Sequence, residues 1–201
     1  MGKPHAQRQS EIIQSALALA AETGEKNVTT QAIADRVGIA QATVFRHFKS
    51  RDAIFTGAIN WLSSQLFEAL APCFNPASMP PDERLKLLIR EQLELINQHK
   101  GLPRLLFSDR LHQESPALKE AVQTIITRYL AQVSRMIEDG IKSGCFKPEL
   151  NPDNTATMVA ALIQGTVMRW SLFEFNFKLE DEADQLQSFV LDSIVSRSVE
   201  H

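Results

Sequence analysis

The stretch TTQAIADRVGIAQATVFRHFKSRDAIF, residues 29–55, decides the fold. Its apolar residues fall in three short sets: Ile33, Ala34 and Val37, then Val44 and Phe48, then Ile54 and Ala58 just beyond. Each set has helical spacing, and Gly38 separates the first from the second. Thr29 precedes the first set and Ser50 the third, where a hydroxyl can accept a bond from a free backbone N–H of the first turn. Two helices joined by a turn of a few residues containing Gly form a helix-turn-helix, whose second helix can enter a DNA major groove.

The flanking sequence supplies the remaining support. Ile12, Ile13, Ala16, Leu17 and Ala20 predict a helix over 6–23 that ends before Gly24. Residues 1–51 carry seven Lys or Arg against four acids, a net +3, which leaves 6 net negative charges on the other 150 residues. A basic head on an acidic body points to a polyanion at one end only.

Elsewhere the chain also reads as helix. Its 201 residues are 44% hydrophobic, enough to bury a core, and hold only 8 Gly and 9 Pro. After the proline-bearing connection APCFNPASMPP, Pro81, Asp82 and Glu83 open a helix to about residue 99. A short helix is expected over 102–111, a long one from Pro116 to about 144, one from Pro152 to about 175, and a last one carrying Leu186, Phe189, Val190 and Ile194. The helix after Pro152 is apolar nearly all round, so it must be covered on every side. A second copy of the chain is the expected cover, with Gly165 permitting close approach. The fold class is therefore all-α with about nine helices: a helix-turn-helix domain over 1–53 and a helical effector-binding and dimerisation domain over 54–201.

Several function classes find no support. Cys73 and Cys145 stand alone, without a metal-binding or disulfide pattern, which fits a reducing cytoplasm. The apolar run ALALAA is too short and too flanked by acids for a signal peptide. ATMVAALIQGTVM falls below the roughly 18 residues of a membrane span. The NVT at Asn27 matches a glycosylation site but has no secretion signal to serve it. There is no GxSxG, HExxH or Gly-rich phosphate loop, so neither an enzyme nor a cofactor is expected. Asp109 and His112 could share a helix face, but no third metal ligand accompanies them.

Residues 29–55 closely resemble the helix-turn-helix of the TetR family of bacterial transcriptional regulators. In that family two Thr precede the second helix, Ala and Gly hold fixed places before the turn, and a Thr-Leu-Tyr-x-His-Phe type run forms the recognition helix. Ala34, Gly38, Thr43, Val44, Phe45, His47 and Phe48 stand at those places here. The resemblance implies a homodimer that sets two recognition helices on a near-palindromic operator, in successive major grooves about 34–36 Å apart. It also implies release by a small molecule entering the body.

On this reading Val44 and Phe48 face the core, and Gln41, Ala42 and Thr43 face bases. Gln can pair with adenine, and the methyl groups of Ala and Thr can meet a thymine methyl. Arg46 reads guanine or clamps a phosphate, while His47, Lys49 and Arg51 hold phosphates. Thr30 and Gln31 match positions that touch the DNA backbone. Two residues depart from the family: Phe45 lacks the usual Tyr hydroxyl, and Ala40 replaces a capping Ser.

For an effector the candidates are Trp61, Phe107, Tyr129, Trp170 and Phe173, with ordinary core as the alternative. Arg110 either meets a ligand carboxylate or pairs with Glu114 at i+4. A second reading keeps the DNA-binding head but makes the body a protein-docking surface, as in the nucleoid-occlusion branch of the family, which HKGLPRLLFSDR resembles. A ligand-binding protein without DNA affinity conflicts with Arg46, His47 and Lys49.

Overall fold

A computed structural model describes residues 4–196. Ten α-helices follow one another: α1 His5–Thr23, α2 Thr30–Val37, α3 Gln41–His47, α4 Arg51–Ala69, α5 Ala71–Phe74, α6 Pro81–Gln98, α7 Gly101–Leu106, α8 Pro116–Lys142, α9 Pro152–Leu172 and α10 Leu179–Ile194. A 3₁₀ turn at Glu25–Asn27 follows α1, and a π turn at Arg110–Glu114 precedes α8. Among the described residues the sole extended pairing is an isolated bridge between Phe146 and Val195, so the expected all-α class holds.

The chain packs as two units. One gathers the chain up to Ser64 with Gln98–Thr124, and the other gathers Gln65–Asn97 with the chain from Ile125 onward.

In the first unit the local signals act as expected. Thr29 Oγ1 accepts from Ala32 N at 3.0 Å and Ser50 Oγ from Ala53 N at 3.1 Å, which starts α2 and α4. Gly38 closes α2 at φ 72°, ψ 40°, a left-handed conformation that lets Ile39 N reach Ala34 O at 3.0 Å. Ile12, Ala16, Ile33, Ala34 and Val44 are completely buried where α1, α2 and α3 meet. Phe48 closes the same core, with its ring against Gly57 of α4 and beside Ile13. A bidentate pair of Arg36 with Glu22, at 2.6 and 2.7 Å, ties α2 to α1.

Also in this unit, α7 lies against α1 at a buried Gly101. The expected helix over 102–111 is shorter, because Ser108 interrupts it. Ser108 Oγ donates to Leu105 O at 2.7 Å and accepts from Leu111 N at 3.4 Å, so it competes for backbone groups that a continuing helix would use.

The second unit is built around Leu85, Leu88, Ile89, Val133, Met136, Ile137, Phe146, Ile163 and Trp170, all buried. The stretch expected to be pure connection contains α5, which begins with Pro72 in its first turn. Arg84, 2% exposed, donates from Nε to Cys73 O at 2.7 Å and pairs with Asp139 at 3.2 Å. Asn151 caps α9 by accepting from Asn154 N at 2.9 Å. α9 stops at Leu172 rather than near 175, because Glu174 and Phe175 take positive φ of 53° and 59°. No described helix is long and apolar enough to cross a membrane.

Helix α9 buries Val159, Ala160, Ile163, Val167 and Trp170 but leaves Met158, Leu162, Met168 and Leu172 in the open. Phe173 just beyond α9 and Phe189 on α10, which packs on α9, are exposed as well. A Cβ at Gly165 would meet no atom within 4 Å.

Candidate nucleic-acid interface

The exposed side of α2 and α3 is where the sequence places DNA contacts. Ala42, Phe45, Arg46 and Lys49 are exposed, and Gln41, Thr43 and Thr30 are half-buried. Gln41 Nε2 donates to Thr30 Oγ1 at 2.8 Å, which joins the first residues of α3 and α2. Arg46 folds back to donate to Thr43 Oγ1 at 2.8 Å, which sets its guanidinium toward the N-terminal end of α3. Gln31 donates to Asp35 Oδ1 at 2.7 Å. Ala40 offers α3 no side-chain cap. Thr30, Gln31, Gln41, Thr43 and Arg46 thus each have an internal hydrogen-bond partner, and side chains fixed in this way lose less entropy on binding.

His47 is placed differently from a free surface cation. Its ring lies on that of His5, with centroids 4.5 Å apart and planes at 43°, and its Nδ1 is buried without a hydrogen-bond partner. Burial first, then the charges of His5, Arg46 and Arg8, push its pKa below the ordinary imidazole value. In the free chain His47 is therefore neutral near pH 7.

A lowered folded-state pKa means that the unfolded chain binds the proton more readily. The stability His47 contributes is complete above its unfolded value of about 6.5 and is lost as pH falls through the folded one. Melting temperature should therefore drop as pH falls below about 6.5, and His47→Gln should weaken that dependence. An identical pH profile in the variant counts against the burial argument.

Arg51, also expected to hold a phosphate, points inward. It donates to Glu25 Oε1 at 2.6 Å and to the Glu25 backbone oxygen. In the DNA-free chain the guanidinium is thus held by a carboxylate 26 positions away. Glu25 was no candidate in the sequence, since nothing local distinguishes it from a solvated acid at a helix end.

The six candidate effector residues divide between the two units. Within the first unit, Trp61 packs edge-on against His99 at 5.2 Å and Phe107 is exposed. Arg110 pairs with Glu114 at 3.2 Å, with Asp52 at 2.7 Å and with Glu25, so the intramolecular alternative describes it. Within the second unit, Tyr129 is buried with its hydroxyl donating to Gln92 Oε1 at 2.7 Å. Trp170 is buried and donates to Phe177 O at 2.8 Å, while Phe173 is exposed. Core packing thus accounts for Tyr129 and Trp170. The concavities of this unit include one of about 560 Å³ bounded by Met79, Arg84 and Asp139 and another of about 290 Å³ between Arg90 and Asp184. None of the six residues lines either.

Asp109, the other half of the candidate metal pair, accepts from Lys26 Nζ at 3.1 Å, and His112 is exposed. Among the described residues no three His, Cys, Asp or Glu side chains cluster as a metal site.

Known proteins share this arrangement. The chain is similar to the nucleoid occlusion factor SlmA of Marinomonas sp. (strain MWYL1), 25% identical over 171 residues that cover 85% of this chain and 86% of the relative. Its fold is similar to that of the transcriptional regulator FadR from Bacillus subtilis, solved in complex with stearoyl-CoA: TM-score 0.79, 22% identity, 90% of this chain and 97% of that one. It is also similar to a TetR transcription regulator from Haloarcula marismortui, with TM-score 0.81, 20% identity, 95% of this chain and all of that one. The family model for bacterial regulatory proteins of the tetR family matches residues 12–58, and that for the C-terminal region of YsiA-like proteins matches residues 68–193. With its head and its body each matched in this way, the chain belongs to the TetR family and is a DNA-binding transcriptional regulator.

Proposed function

We propose that the protein is a cytoplasmic homodimeric repressor. Residues 1–53 hold a near-palindromic operator, and a small molecule bound in residues 54–201 releases it. The observation that carries the reading is the solvent face of α2 and α3, where Thr30, Gln31, Gln41, Ala42, Thr43, Phe45, Arg46 and Lys49 stand together at the helix-turn-helix. The Arg46 bond to Thr43 supports base reading by Arg46 over phosphate clamping.

Arg46→Ala and Gln41→Ala should each cost about 1–3 kcal/mol of operator affinity and relax base preference at one position. Lys49→Ala should weaken all sequences alike. The measurement is fluorescence anisotropy on a duplex that the wild-type protein retains from a random-sequence pool. Normal binding by Arg46→Ala would mean that α3 is docked wrongly.

For the effector, acyl thioesters of coenzyme A are the first class to screen, since a regulator of the same fold was solved with stearoyl-CoA. An inducing ligand must lose affinity for the protein by the same factor by which it weakens DNA binding. A ligand that saturates the chain and leaves operator affinity unchanged rules out release by that ligand.

The likeness to nucleoid occlusion factors favours a second reading, in which the body docks a protein partner while the head binds DNA in the same way. A partner that binds the DNA-loaded form without releasing it would select this second reading.

A further inference from the structure

In the DNA-free chain two guanidinium groups share one carboxylate oxygen. Arg51 Nη2 and Arg110 Nε both donate to Glu25 Oε1. Arg110 also donates from Nη1 to Asp52 Oδ1 at 2.7 Å and pairs through Nη2 with Glu114 at 3.2 Å. Glu25 is only 4% exposed at its side chain, so its charge is costly to leave unpaired. With Arg110 in place, Glu25 keeps a cation even when Arg51 departs.

Arg51 is held less well than Arg110. Its Nε is buried without a hydrogen-bond partner, an arrangement that costs free energy. Burial lowers its pKa, and the positive charge of Arg110 acts in the same direction, against the pull of Glu25 and Asp52. Arg110 itself is raised despite burial, because it has Asp52 as well as Glu25. A quarter of the Arg51 side chain remains exposed, two positions after the exposed Lys49. A phosphate offers what Glu25 does not supply here, a second oxygen for the unpartnered Nε and hence a bidentate pairing of the fork.

We infer that Arg51 is a phosphate ligand held in reserve on Glu25, and that Arg110 is the positioning residue that lets it leave by keeping the buried carboxylate paired. On docking, Arg51 turns from Glu25 to the DNA backbone while Arg110 stays on Glu25 and Asp52. The π turn that carries Arg110 thereby governs how many phosphates the head holds. The inference rests on the DNA-binding reading of the head.

The test measures the salt dependence of binding to the duplex that the wild-type protein retains from a random-sequence pool. Arg51→Gln should reduce the slope of log affinity against log salt by about 0.9, the value of one phosphate contact. Arg110→Gln should do the same although its own side chain touches no DNA, because Glu25 then keeps Arg51. Adding Glu25→Gln to Arg110→Gln should restore the slope, a rescue that a merely structural role would not give. In unsubstituted protein the side-chain ¹⁵Nε resonance of Arg51 should shift when the duplex is added, a readout independent of whether any variant folds. An unchanged slope in Arg51→Gln, an unmoved Arg51 resonance, or no rescue by Glu25→Gln would each overturn the inference while leaving DNA binding intact. A wild-type protein that retains no duplex would instead overturn the DNA-binding reading, and this inference with it.

Discussion

Gly101→Ala should destabilise the first unit by about 2–3 kcal/mol, the upper half of the range for ordinary overpacking. A Cβ built on Gly101 stands 2.0 Å from Leu17 O, 2.8 Å from Leu17 C and 3.0 Å from Leu17 Cα. These are backbone atoms in the middle of α1, so no rotamer change relieves the clash. α7 would have to lift from α1, and buried Pro103 and Leu105 would lift with it.

For a chain of this size each kcal/mol lowers the melting temperature by about 2–4 °C, so a drop of roughly 5–10 °C is expected by far-UV circular dichroism. DNA affinity should fall as well, since α1 packs against α3. Gly165→Ala provides the contrast: in an isolated chain, with open space around it, the substitution should stabilise α9 by about 0.5–1 kcal/mol through helix propensity. A Gly101→Ala protein that melts with the wild type would show that α1 and α7 do not approach so closely.

Leu172→Glu should leave the fold of the chain intact and abolish its dimer. Leu172 is 67% exposed and Met158 69%, so neither contributes much to the protein's own core. If α9 and α10 of two copies cover each other, a buried unpaired carboxylate at each Leu172 costs several kcal/mol, enough to dissociate them. Loss of the dimer also loses simultaneous binding to two half-sites, and that linkage is worth a factor of about 10² to 10⁴ in affinity. Sedimentation velocity should report a monomer with the wild-type circular dichroism spectrum, and operator affinity should drop by at least about 100-fold. A Leu172→Glu protein that remains dimeric would place the interface elsewhere. Gly165→Ala reports on the same face, because a close partner backbone would turn its expected gain into a loss.

Reading the sequence succeeded where the signal is local. Thr29, Gly38, Ser50 and Asn151 act on backbone groups within a few residues, so both ends of α2 and the starts of α4 and α9 could be placed from neighbouring letters. The 3.6-residue spacing of Val44, Phe48, Ile54 and Ala58 likewise specified which faces turn inward. The misjudged points are those where a side chain or a strained backbone overrides a good local pattern. Ser108 splits the helix expected over 102–111, and the positive φ of Glu174 and Phe175 ends α9 early.

The sequence by itself determined the helix-turn-helix, the all-helical body and the face of α3 that stays in solvent, because each depends on spacings within one or two turns. Only the tertiary structure decided which charges remain for a ligand. Glu25 is separated from Arg51 by 26 positions and from Arg110 by 85, and no spacing rule links residues so far apart. Whether an arginine meets DNA, an effector or a buried carboxylate depends on what the fold brings within about 3 Å of it, since charge-assisted hydrogen bonds act only at that range.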